Sequence, residues 1–172
     1  MFNNILVAYD GSSSSRAAVD RALELAKASN AEVTLLTVAP SVAPLVGLSG
    51  VSIEELDAEL RQWAGRTARE GASTASNGLN VHTVTRSGHI GEEIVAQIEA
   101  GGYDLVVLGS RGRGRLTSEL FGSANGYVHF HSRIPLLSIS ADESNSGVEG
   151  ETTLAGAAAH QGSRGIFEPP NA

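Results

Sequence analysis

The chain of 172 residues reads as one doubly wound α/β domain built on a five-stranded parallel sheet. Three features point there. Short, continuously apolar runs recur through the first 140 residues, as strands covered on both faces require. Segments with apolar residues at helical spacing separate them. Glycine and proline stand at most of the changes from one pattern to the other. Strands joined by helices make βαβ units, whose right-handed crossovers impose a parallel sheet.

The first strand is Ile5–Ala8, which ends at Asp10-Gly11. Ser12 and Ser13 offer an N-cap to a helix whose buried stripe is Val19, Ala22, Leu23 and Ala26. Val33–Val38 is the second strand, followed by the apolar loop APSVAPLVGLSG, too rich in proline and glycine for helix or strand. Ser52 with Glu55 forms a capping box for a second helix, with Ile53, Leu56, Leu60 and Trp63 as its expected core stripe. Val81–Thr85 is the third strand. Ile94, Val95 and Ile98 mark a short helix that stops at Gly101-Gly102. Leu105–Leu108 is the fourth strand, and a glycine-rich stretch leads to a last helix near Asn125–His131, opened by Gly122-Ser123. Pro135 precedes the fifth strand, Leu136–Ile139, which is expected at a sheet edge.

Composition excludes several classes of function. Apolar residues are 41% and charged residues 18%, the balance of a folded core. With no cysteine, disulfides, thiolate zinc sites and thiol nucleophiles are ruled out. A net charge of -7 opposes general nucleic-acid binding, since phosphate would be repelled. No apolar run is long enough for a membrane span, and MFNNILVAYD lacks a signal-like pattern, so the cytoplasm is the expected compartment. The domain is expected over residues 1–140. From Ala141 to Ala172 the chain is rich in Gly, Ala and Ser, with Asp142, Glu143, Glu149, Glu151 and Glu168 against Arg164. Such a segment buries too little to offset its ordering entropy and is expected to be a flexible acidic tail.

Ligands on doubly wound sheets bind beyond the carboxyl ends of the strands, where strand order reverses. Asp10, the loop after Val38 and the glycine stretch after Leu108 all fall at that edge. The stretch GSRGRGRLTSELFGSAN is not a P-loop, because Arg115 and Leu116 replace the lysine and the magnesium-binding hydroxyl. It is not a dinucleotide fingerprint either: the pattern starting at Gly112 fails at Thr117, and it follows the fourth strand rather than the first. What remains is Gly109, Gly112 and then Gly122-Ser123 at a helix start. Glycines let backbone amides approach phosphate oxygens. The amides of Gly122, Ser123, Ala124 and Asn125 would be unsatisfied there and aimed at an anion. Arg111, Arg113 and Arg115 add positive charge. On spacing alone, an ordinary surface loop explains the stretch equally well.

The spacing Gly109-x2-Gly112-x9-Gly122-Ser123 resembles the ATP-binding signature of the universal stress protein family. The resemblance extends to ILVAYDGSSSSRAAVDRAL, SGHIGEEIVAQI, YDLVVLGSRGRGRL and RIPLLSI, and so covers about residues 1–140. It implies a Rossmann-like fold of the adenine nucleotide alpha hydrolase type and a cytoplasmic ATP-binding module of the stress response. It further implies that Asp10 meets the ribose or adenine side, and that Val38 presents its backbone to the adenine edge. Gly109 and Gly112 would let the loop close over ribose and phosphates, with Arg111 beside them. Gly122, Ser123, Ala124 and Asn125 would hold the phosphates through main-chain amides, helped by the Ser123 hydroxyl. ATP, alone or with Mg2+, is the implied ligand. A homodimer through Leu136–Ile139 and an unidentified regulatory protein are the implied partners. Gly126 departs from the acidic or amide residue usual in the family, and Asn125 from its frequent Ser or Thr.

Other patterns carry less. His89-Ile90-Gly91 resembles the start of the HIGH motif of nucleotidylyl transferases, but Glu92 replaces its second histidine and a helix-capping turn accounts for it. His129 and His131 at i, i+2 point to different helix faces and make no metal pair. The three arginines lack the aromatic platform of an RNA-binding surface. Two rival functions stay open at this level. One is a slow ATPase or phosphotransferase with Asp10 on magnesium and Arg111 against the phosphates. The other is a nucleotide-free dimeric scaffold.

Overall fold

Which face of the sheet a residue buries follows from strand alternation, and the chain uses it consistently. The computed structural model describes residues 1–41, 52–75, 79–110 and 118–141. Its elements run β1 Asn4–Ala8, α1 Ser13–Ser29, β2 Glu32–Pro40, α2 Ile53–Ala75, β3 Val81–Gly88, α3 Ile90–Gly101, β4 Leu105–Gly109, α4 Ser118–His131 and β5 Leu136–Ile139. The five strands pair in the order β3-β2-β1-β4-β5, every pair parallel. Strand order reverses between β1 and β4, which makes the carboxyl ends of those two strands the topological switch point.

On one face Ile5, Val7, Val33, Leu35, Leu105 and Val107 pack under the small, closely spaced apolar residues of α1. On the other, Leu6, Leu36, Val106 and Leu108 pack with Ile94 and Ile98 of α3 and Val128 of α4. The Ser12 side chain accepts the Ser15 amide and caps α1 as expected, while Asn30, in the left-handed conformation, closes it. Ser52 accepts the Glu55 amide at 3.3 Å and starts α2. His89 occupies the N-cap position of α3 with no capping bond from its side chain.

Two expectations are corrected. The buried residues of α2 are Ala64, Thr67, Ala68, Gly71 and Ala75, whereas Leu60 and Trp63 are only half-buried. Small residues let this helix lie close on the sheet: a Cβ on Gly71 would come within 2.8 Å of the Tyr9 ring. The larger side chains precede that contact and lie beside the carboxyl edge of the strands. The last helix begins at Ser118 rather than at Gly122. A glycine inside a helix costs only about 1 kcal/mol relative to alanine, so Gly122 and Gly126 do not stop it. The expected tail, from residue 142 onward, lies outside the described residues. No helix among the described residues is long and apolar enough to cross a membrane.

Candidate functional site

A cavity of about 350 Å³ opens at the switch point, within the usual range for small-molecule sites of about 300–1,000 Å³. Its floor is the carboxyl ends of β1, β2 and β4, and the starts of α1 and α3 with parts of α2 and α4 wall it in. Of the residues expected at a site, Asp10, Val38, Gly109, Ala124 and Asn125 all line it. Arg111 and Gly112 lie outside the described residues. Gly122 and Ser123 fall within the first half of α4.

Asp10 stands where β1 gives way to α1. Its Oδ1 accepts the Ser12 amide at 3.0 Å, and its own amide donates to Ser15 Oγ at 3.4 Å. The carboxylate therefore fixes the turn and also borders the cavity. It is the one carboxylate among the described lining residues, and no group of three or more potential metal ligands occurs among the described residues.

The position of Val38 follows from the ladder. Strands β1 and β2 pair from Asn4↔Glu32 to Ala8↔Leu36, and the Tyr9 amide then donates to the Leu36 carbonyl at 2.8 Å. Alternation along a parallel ladder places the Val38 amide and carbonyl on the same side as those of Leu36. On that side the chain has already turned away at Asp10, while β3 still pairs on the other side as far as Pro40↔Gly88. A donor and an acceptor are thus directed past the last β1 bond.

Gly109 serves packing as well as the site. A Cβ there would lie 2.8 Å from the Ser14 carbonyl carbon and 2.9 Å from the Ser15 nitrogen. The first turn of α1 thus approaches the end of β4 as closely as only glycine allows. Asn125 Nδ2 donates to the Gly109 carbonyl at 3.3 Å and to Ser138 Oγ at 3.4 Å, tying α4 to β4 and β5. Because α4 starts at Ser118, the amides of Gly122 to Asn125 fall where intrahelical bonds form, and the unpaired amides of its first turn belong to Ser118–Leu120.

Two lining residues, Leu60 and Trp63, were assigned to the core by sequence reasoning. The signal that could have placed them was the helix itself. It follows a long loop at the carboxyl edge, so its first half must begin there.

Comparison with known proteins agrees with this geometry. The family model described as "Universal stress protein family" matches residues 1–140. Universal stress protein YxiE of Bacillus subtilis is 34% identical over 146 residues, covering 80% of this chain and 98% of its own length. Among solved structures, hypothetical protein MJ0577 superposes with a TM-score of 0.65 at 26% identity, covering 81% of this chain and 96% of that one. Two more distant structures show the same fold. One is a universal stress protein in complex with cAMP, with TM-score 0.53 and 24% identity over 81% of this chain and 98% of that one. The other is an Arabidopsis thaliana family protein with AMP bound, with TM-score 0.55 and 18% identity over 84% of this chain and 96% of that one. With its sheet order, its switch-point cavity and a family match through residue 140, the chain belongs to the universal stress protein family.

Proposed function

We propose that this chain binds an adenine nucleotide, ATP in the first instance, at the carboxyl ends of β1 and β4. Binding shifts its conformation or its contacts with a regulatory protein, so that it works as a cytoplasmic sensor of the stress response. The observation that carries the reading is the composition of the cavity. Leu36, Val38, Ile90, Ile94 and Leu108 give it an apolar side, while Asp10, Ser12, Ser15 and Asn125 give it a polar rim. An apolar slot bordered by a few polar groups suits a base joined to a sugar phosphate. The AMP and cAMP held by two proteins of the same fold support an adenine base.

In this reading the Val38 backbone meets the adenine edge and Asp10 the ribose. Gly109, Arg111 and Gly112 border ribose and phosphates, and Gly122, Ser123, Ala124 and Asn125 receive the phosphates at the amino-terminal half of α4. Opening of the first turn of α4 would free those four amides; the unpaired amides of Ser118–Leu120 form the same kind of anion-attracting end one turn earlier. Mg2+, where present, enters with the phosphates, because Asp10 alone does not make a metal site.

The test is to release small molecules from the purified chain by denaturation and identify them by mass spectrometry, then incubate the chain with labelled ATP. An adenine nucleotide in the released fraction, with turnover at the level of buffer, is the expected result. Rapid hydrolysis would make the chain an enzyme. Absence of any nucleotide, together with no binding of added ATP, would leave only a scaffold.

A further inference from the structure

We infer that Trp63, with Leu60 beside it, is the wall against which the base of the bound nucleotide packs, so that α2 selects for a flat aromatic base. Each core cluster gathers large apolar side chains from strands and helices, and neither includes Leu60 or Trp63. Both line the cavity instead. A half-buried tryptophan that joins neither core cluster of the described residues and lines a cavity presents a large rigid aromatic surface to whatever enters.

The polar lining groups belong to other elements. Asp10, Ser15, Gly109 and Asn125 form one connected patch: the Asp10 amide donates to Ser15 Oγ, Gly109 abuts Ser15, and Asn125 donates to Gly109. The patch involves α1, β4 and α4, with no member from α2. Sugar and phosphate belong to that patch, which leaves the base for the apolar part that α2 closes. Stacking on an aromatic side chain tolerates any base, so Trp63 supplies affinity for the base as a flat ring, and edge contacts choose among bases.

This inference rests on the adenine-nucleotide reading, and one experiment separates the two. Trp63 is the only tryptophan of the chain, so its emission reports on this wall alone. The full chain is titrated with ATP and with AMP while Trp63 fluorescence is followed, and the same titrations are repeated by calorimetry. A saturable change in emission with the calorimetric midpoint is expected. Trp63→Ala should weaken binding on the order of 10-fold or more, and Trp63→Phe should restore most of it. Calorimetric binding with unchanged Trp63 emission would place the base elsewhere and overturn the inference while leaving nucleotide binding intact. Unchanged affinity in Trp63→Ala would do the same. If neither nucleotide binds by calorimetry, both readings fall. The wild-type fluorescence decides the matter even if the alanine variant does not fold.

Discussion

Thr37 is fully buried in β2, and its Oγ1 has no hydrogen-bond partner among the described residues. A buried hydroxyl left unpaired costs about 1–3 kcal/mol. Valine has nearly the same shape without the polar atom, so Thr37→Val should stabilise the fold by about 1 kcal/mol. In a chain of this size that raises Tm by roughly 2–4 °C, as calorimetry would show. A lower Tm would mean that the hydroxyl has a partner in the native state. Asp104 presents the opposite case. Its Oδ2 accepts the Asn3 amide at 2.7 Å and its Oδ1 the Asn4 amide at 3.1 Å, so it holds the start of β1 beside the start of β4. Burial works to raise its pKa, but hydrogen bonds from the backbones of Asn3 and Asn4 and the Asn3 side chain outweigh that, and the carboxyl sits below its ordinary value. A lowered folded-state pKa stabilises the native state above the unfolded value of about 4 and loses that contribution as pH falls through the folded value. Stability of the wild type should therefore drop on acidification more steeply than that of Asp104→Asn. Parallel urea midpoints from neutral pH down to about pH 3 test this; identical slopes would contradict it.

Among the elements, α4 shows most clearly what local sequence conceals. Gly126 lies inside this helix, and a Cβ added there would meet nothing within 4 Å. Gly126→Ala should therefore stabilise the protein by about 0.5–1 kcal/mol through helix propensity alone. A loss of stability would show that the backbone at 126 must leave the helical conformation. The sheet was legible in the residues because strands buried on both faces must be apolar throughout, as Ile5–Val7 and Leu105–Leu108 are. Helix ends were legible where a capping side chain marks them, as Ser12 and Ser52 do. The start of α4 was not, since Gly114 and Gly122 read locally as loop while propagation from the packed second half carries the helix past Gly122. The α2 stripe was assigned to the wrong residues for a related reason. Apolar periodicity identifies the inward face of a helix but not how far along it the sheet extends. Ala64–Ala75 covers strands, while Leu60 and Trp63 face the cavity. That Asp10, Val38 and Gly109 line the cavity was legible because strand ends fix their place at the carboxyl edge.

At the scale of the whole molecule, β5 pairs with β4 alone among the described strands. The Ser110 amide donates to the Ile139 carbonyl and the Val106 amide to the Pro135 carbonyl. Alternation then turns the backbone groups of Leu136 and Ser138 outward, toward the free edge. Phe130, 83% exposed, lies on the preceding helix. An edge that no described strand pairs, with an exposed aromatic residue nearby, suits pairing with a second copy. Ser138→Pro removes an outward amide without touching the β4 ladder. It should convert a dimer into a folded monomer by sedimentation equilibrium, and a wild-type monomer would contradict the expected assembly. Ser138→Pro also removes the Oγ that accepts from Asn125, but Asn125 keeps its bond to the Gly109 carbonyl, so nucleotide binding should survive that change.

The most direct measurement is calorimetric titration of the wild type and of Gly122→Val with ATP. Valine is a better helix former than glycine, so secondary structure should be retained within α4, while in the proposed reading a side chain at 122 obstructs the phosphates. Saturable binding by the wild type, lost in the variant with its circular dichroism unchanged, is the predicted result. Equal affinity in both proteins, or no heat of binding in either, would contradict it.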